Sequence, residues 1–229
     1  MQSIIDGFRD AFHLLISLDP EILSIIRLSL YVSLTATILS SIVAVPLGVI
    51  IGIKEFPGKR GLVRLIYTMM SMPPVVIGLV IFLLLLRSGP LGSLRLNFTP
   101  TAMVIAQFTL VTPIITGIVF NGTKERGLDI EALAITLGAS RKQTLWLLIR
   151  ELRINILSAV VSGYGRAISE VGAVMVVGGN IRGHTRVMTT TIAMLRNMGE
   201  YSLAIAIGIV LLTISFIINS LLYHWQQED

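Results

Sequence analysis

Residues 28–53 read LSLYVSLTATILSSIVAVPLGVIIGI, 26 residues without a charge. A bilayer-spanning helix needs about 20 predominantly apolar residues, so this stretch has membrane length. Three more stretches match it: 65–86 holds 22 uncharged residues, 96–123 holds 28 and 201–227 holds 27. A fifth, 154–181, is equally long but contains Arg166 and Glu170. Ionisable groups inside a membrane are costly and normally face a protein interior or a watery path, which makes this a span carrying something functional. Composition agrees, with 54% hydrophobic residues against 14% charged, where soluble domains carry about 25% charge. The expected fold is an all-α membrane protein forming a single domain over residues 1–229, with five spanning helices.

Several chemistries are excluded. Cysteine is absent, which removes disulfides, thiolate catalysis and cysteine-ligated metals. His13, His184 and His224 are far apart and lack the paired spacing of a zinc site, so no metal is expected. Ser169 beside Glu170 lacks a histidine base, so an intramembrane hydrolase has no nucleophile. Nucleic acid is not an expected partner; the lipid bilayer is. The segment before Leu28 carries Asp6, Arg9, Asp10, Asp19 and Glu21, unlike a signal peptide. It is expected to form an amphipathic helix at the interface, ended near Pro20.

Basic residues set an expected orientation. In a five-span arrangement one side holds ten, from Lys54 through Lys124 to Arg153, and the other seven, from Arg9 to Arg196. The positive-inside rule then places the N-terminus outside and the C-terminus inside. Arg182, His184 and Arg186 fall on the outer side against this trend, as a docking surface or as simple solvation.

Within the spans, Gly48 and Gly52 have the Gly-x-x-x-Gly spacing that lets helix backbones approach. Residues 54–64, with Pro57, Gly58 and Gly61, read as a tight turn. Pro73 and Pro74 interrupt the second span, and Pro113 and Gly117 the third, so bent helices beside a pathway are expected. Asn97-Phe98-Thr99 matches a glycosylation acceptor by coincidence.

The cytoplasmic segment 121–153 carries most information. Asp129 reads as a helix N-cap with Glu131 in the first turn, Gly138 breaks the helix, and a second helix from Arg141 puts Leu145, Leu148 and Ile149 on one face. Such a helical hairpin suits the groove of another protein. In the fourth span, Arg166 and Glu170 are four apart, so on a helix they share a face and either neutralise each other or contact an anion.

Leu137-Gly138-Ala139-Ser140, preceded by alanines, is similar to the EAA loop of the permease subunits of bacterial ABC importers. The Glu-Ala-Ala positions fall on Ala132, Leu133 and Ala134, with the acid displaced to Glu131, and the family's later Leu-Pro is missing at Arg150 and Glu151. Arg166, Glu170-Val171-Gly172-Ala173 and Gly178-Gly179-Asn180-Ile181-Arg182-Gly183 with Thr185 look like the matching stretch of molybdate, sulfate and tungstate permeases, most of all the tungstate group.

The resemblance implies a type I ABC importer transmembrane fold, with five core spanning helices plus the N-terminal interfacial helix. It implies a homodimer, two ATP-binding ABC subunits and an extracytoplasmic oxyanion-binding protein, in a bacterial or archaeal cytoplasmic membrane. The chain has no Gly-x-x-x-x-Gly-Lys-Ser/Thr loop. The resemblance implies a transport subunit that binds no cofactor of its own, with ATP and Mg used by the partner ATPase. Glu131, Ala132, Leu133, Ala134, Gly138, Ala139 and Ser140 would couple to that ATPase. A tetrahedral dianion needs donors, which Gly178, Gly179, Asn180, Thr189, Thr190 and Thr191 offer along the path, the threonines serving otherwise as helix caps. A molybdate or sulfate permease is the first alternative, followed by a permease for another small solute, and a channel is the reading from a different class.

Overall fold

The computed structural model describes residues 19–227, with side chains through 221, and within these the chain is helical without a strand. Helix α1 (Pro20–Ile53) starts where the sequence suggested an ending. The Asp19 carboxylate accepts the Glu21 and Ile22 N–H groups at 2.8 and 3.3 Å. Pro20 fills a first-turn position where its missing N–H costs nothing. The interfacial helix expected further upstream lies outside the described residues.

The turn after α1 is shorter than residues 54–64 suggested, because α2 (Lys59–Met70) already begins at Lys59. Helix α3 (Pro74–Leu85) follows at 101° to α2. The reason is local: Pro74 forces Pro73 into an extended conformation, and neither proline can donate to a helical ladder. At 12 residues each, α2 and α3 are about 18 Å long, so neither crosses a membrane alone. Pro113 has no such effect. Helix α4 (Pro100–Thr136) runs through it unbroken for 37 residues, capped at the start by Thr99.

The C-terminal half contains α5 (Arg141–Glu151), α6 (Arg153–Ile168), α7 (Gly172–Gly178), α8 (Met188–Met198) and α9 (Tyr201–Gln227). Helices α6 and α7 meet at 56°. Among the described residues three helices, α1, α4 and α9, are long and apolar enough to cross a membrane, or up to five crossings if each bent pair forms one.

Close helix packing holds the molecule together. A Cβ on Gly48 would sit 2.8 Å from that of Val119, and one on Gly52 would sit 2.6 Å from that of Thr123. The Gly-x-x-x-Gly spacing is thus the contact stripe between α1 and α4. Gly78 does the same for α3, since a Cβ there would meet the Ala173 Cα of α7 at 2.7 Å. Three apolar clusters result: α3, α7 and the first halves of α1 and α4; α5, α6 and the later halves of α1 and α4; and α8, α9 and the start of α1. Ile42, Leu83, Leu212 and Phe216 project outward, as a lipid-facing surface requires.

Candidate functional site

Helix α4 does not stop at the end of its apolar part. It continues through Asp129, which is mid-helix rather than an N-cap, so Glu131, Ala132, Leu133 and Ala134 extend the same rigid rod. It ends at Gly138, whose φ is 77°. The Ala139 N–H donates to Ala134 O and the Gly138 N–H to Ile135 O, both at 2.9 Å, closing a Schellman turn. Ser140 starts α5 with a capping box: its hydroxyl accepts the Gln143 N–H at 3.4 Å, and its own N–H donates to Gln143 Oε1 at 2.8 Å.

One face of this hairpin is anchored and the other is open. Ala134 and Leu148 are buried, with Leu145 and Ile149 packed beside Leu148. Leu133, Ile135, Leu137 and Trp146 are exposed, Leu137 at 77%. Between hairpin and α1 lies a pocket of about 580 Å³, where Glu131 and Ala139 meet Lys54, Arg141 and Lys142.

Arg166, in the last turn of α6, and Glu170, in the break before α7, come together. Glu170 lies past the end of α6, so it and Arg166 are not two positions on one helix face as the spacing suggested. They meet nonetheless, with Arg166 Nη2 at 3.5 Å from Glu170 Oε2. The other carboxylate oxygen accepts the Ala173 N–H at 3.1 Å, and the Glu170 carbonyl accepts the Thr189 hydroxyl at 2.8 Å. Gln107 donates from α4 to Ala167 O at 2.9 Å. The Glu170 side chain is 5% exposed and that of Arg166 40%. One acid therefore ties α6, α7 and α8 together, and Gln107 adds α4.

The expected threonine donors bond within the chain. Thr190 and Thr191 donate to Val187 O at 3.0 and 2.7 Å at the start of α8, whereas Thr189 reaches across to the Glu170 carbonyl. The Gly179 N–H donates to Met175 O at 2.9 Å, and the Gly178 carbonyl accepts the Thr185 hydroxyl. Gly179 has φ 71°, and a Cβ there would meet the Phe98 ring at 2.7 Å. The Asn180 Oδ1 is buried without a partner.

On the loop after α7 the three basic residues separate. The Arg182 guanidinium forks onto Glu21, with Nε 2.8 Å from Oε1 and Nη2 on Oε2. Arg186 Nη1 lies 3.7 Å from Glu21 Oε1. The bond from Arg182 holds the Glu21 carboxyl below its ordinary value, and Glu21 in turn raises Arg182. His184 is exposed and lines a pocket of about 310 Å³ with Arg27, Tyr31 and Arg186. Sequence reading left Glu21 unassigned because 161 residues separate it from Arg182.

Comparison with known proteins converges on the same kind of molecule. The family described as the binding-protein-dependent transport system inner membrane component matches residues 44–227, from inside α1 to the end of α9. The chain belongs to this family. It is 51% identical to the tungstate uptake system permease protein TupB of Peptoclostridium acidaminophilum, over 100% of both chains. TupB of Campylobacter jejuni subsp. jejuni is 36% identical over 94% of this chain and 90% of its own. The sulfate transport system permease protein CysW of Synechococcus elongatus is 35% identical over 66% of this chain and 58% of its own. Membership of this inner-membrane family accounts for the apolar outer surface, and it implies a binding protein and an ATPase as partners in general.

Proposed function

We propose that the chain is the permease subunit of an ATP-driven importer for tungstate. The end-to-end match to a tungstate uptake permease carries this reading. On it, two copies form the path, two ATPase subunits bind below and use ATP and Mg, and a binding protein delivers the anion from outside. Each bent pair serves as one crossing, giving five with the N-terminus outside, which fits the side holding more Lys and Arg.

In this assembly the exposed apolar face of the hairpin, with Glu131 to one side, inserts into the ATPase. The continuity of α4 supports that role, because a push at residues 131–140 moves a helix that runs to Pro100. Arg166 and Glu170 brace the broken helix beside the path. Arg182, His184 and Arg186 face the binding protein.

Uptake by the reconstituted complex, with its binding protein, tests the substrate: tungstate should be taken up in preference to equal molybdate or sulfate. Preferential sulfate uptake would reject tungstate, and uptake without ATP would reject the importer itself.

A further inference from the structure

Helix α2 has no buried residue, unlike its neighbours α1 and α3. Its sequence, KRGLVRLIYTMM, still divides into charged and apolar faces. Tyr67 fixes it to α4 by donating to Asn121 Oδ1 at 2.7 Å. Between α2 and α4 opens a pocket of about 480 Å³, where Lys59, Arg60 and Arg64 converge with Lys124 around apolar Val63 and Phe120.

The charges there do not balance. Lys59 is paired with Glu55, at 2.8 Å, and Glu55 is the single acid of the lining. Arg60, Arg64 and Lys124 form no ion pair among the described residues. Three uncompensated cations in a concavity call for an anion. The apolar wall, and Leu62 and Leu65 exposed on the same helix, call for an anion carrying an apolar body. A free oxyanion meets only the first demand. A basic pocket between helices at the edge of a membrane protein suits an anionic headgroup whose chains continue into the bilayer along the apolar face of α2.

We propose that this pocket holds the phosphodiester headgroup of an anionic phospholipid, clamped by Arg60, Arg64 and Lys124. The lipid fills the space between α2 and α4 and braces α2 on the approach to the 101° bend.

The test is lipid titration of the purified full chain in detergent, read by native mass spectrometry, with phosphatidylglycerol and phosphatidylcholine as probes. Phosphatidylglycerol should be retained at least about tenfold better, and Arg64→Ala should weaken it about fivefold, as expected for one cation near a lipid surface. Arg60→Lys with Arg64→Lys should restore retention, which separates lost charge from misfolding. Equal retention of both lipids by the unaltered chain overturns the proposal. Displacement of the lipid by millimolar inorganic phosphate would make the site one for a free oxyanion. Loss of the lipid on assembly with the ATPase would assign the pocket to that partner, and either result rejects the lipid.

Discussion

At the scale of single residues, Arg166 and Glu170 are unequal partners. Glu170 is buried and accepts both a cation and the Ala173 N–H, whereas Arg166 keeps 40% of its side chain accessible. Arg166→Ala leaves the buried Glu170 carboxylate without its cation, a loss of about 1–3 kcal/mol for a buried polar group that loses a partner. Glu170→Gln retains an acceptor for Ala173 and leaves a cation that water can reach. Folded yield and thermal unfolding in detergent should therefore drop more for Arg166→Ala than for Glu170→Gln. The order reverses if Arg166 serves only as an anion contact. Glu21 gives a second prediction. Its carboxyl lies below its ordinary 4.5 because Arg182 and Arg186 favour the ionised form. That contribution is complete above pH 4.5 and is lost as pH falls through the lowered value. The protection of the Thr185 and Arg186 amides, which donate to Ile181 O, should fall under acid once rates are corrected for the pH dependence of free-amide exchange, and Glu21→Gln should lower it likewise at neutral pH.

At the scale of elements, Gly138 matters through its backbone rather than its surroundings. A Cβ there meets nothing within 4 Å, so a side chain has room. The φ of 77° is the obstacle, costing a residue with a Cβ about 1–2 kcal/mol. Gly138→Asn, which tolerates this region, should keep uptake coupled to ATP hydrolysis. Gly138→Val should reduce coupling while the protein still reaches the membrane. Equal effects of Asn and Val, measured as anion transported per ATP in proteoliposomes, would show that the turn geometry is not what coupling needs.

At the scale of the whole molecule, the crossing number depends on the two bent pairs. If both count as crossings, Lys142 on the hairpin and Gly183 on the loop after α7 lie on opposite sides. The absence of cysteine makes this directly measurable. In intact cells a membrane-impermeant maleimide should label Gly183→Cys and leave Lys142→Cys untouched until the cells are opened. Labelling of both from outside would make one bent pair re-entrant.

The sequence alone determined that this is a helical membrane protein, because uncharged stretches of membrane length leave the chain no aqueous alternative. It also marked the hairpin turn at Gly138, the close approach at Gly48 and Gly52 and the break at Pro73 and Pro74, since each depends on the conformational limits of one or two residue types. Tertiary structure decided the rest. Asp129 reads as a cap because its neighbours favour helix starts, yet α4 was already helical from Pro100. Thr189 reads as a donor for an anion, yet the Glu170 carbonyl at the α6–α7 break takes its hydrogen. Arg182 reads as a free outer charge, yet Glu21 reaches it from the far end of the chain. Spacing along a chain fixes local geometry, but which polar group satisfies which depends on helices packed from distant sequence.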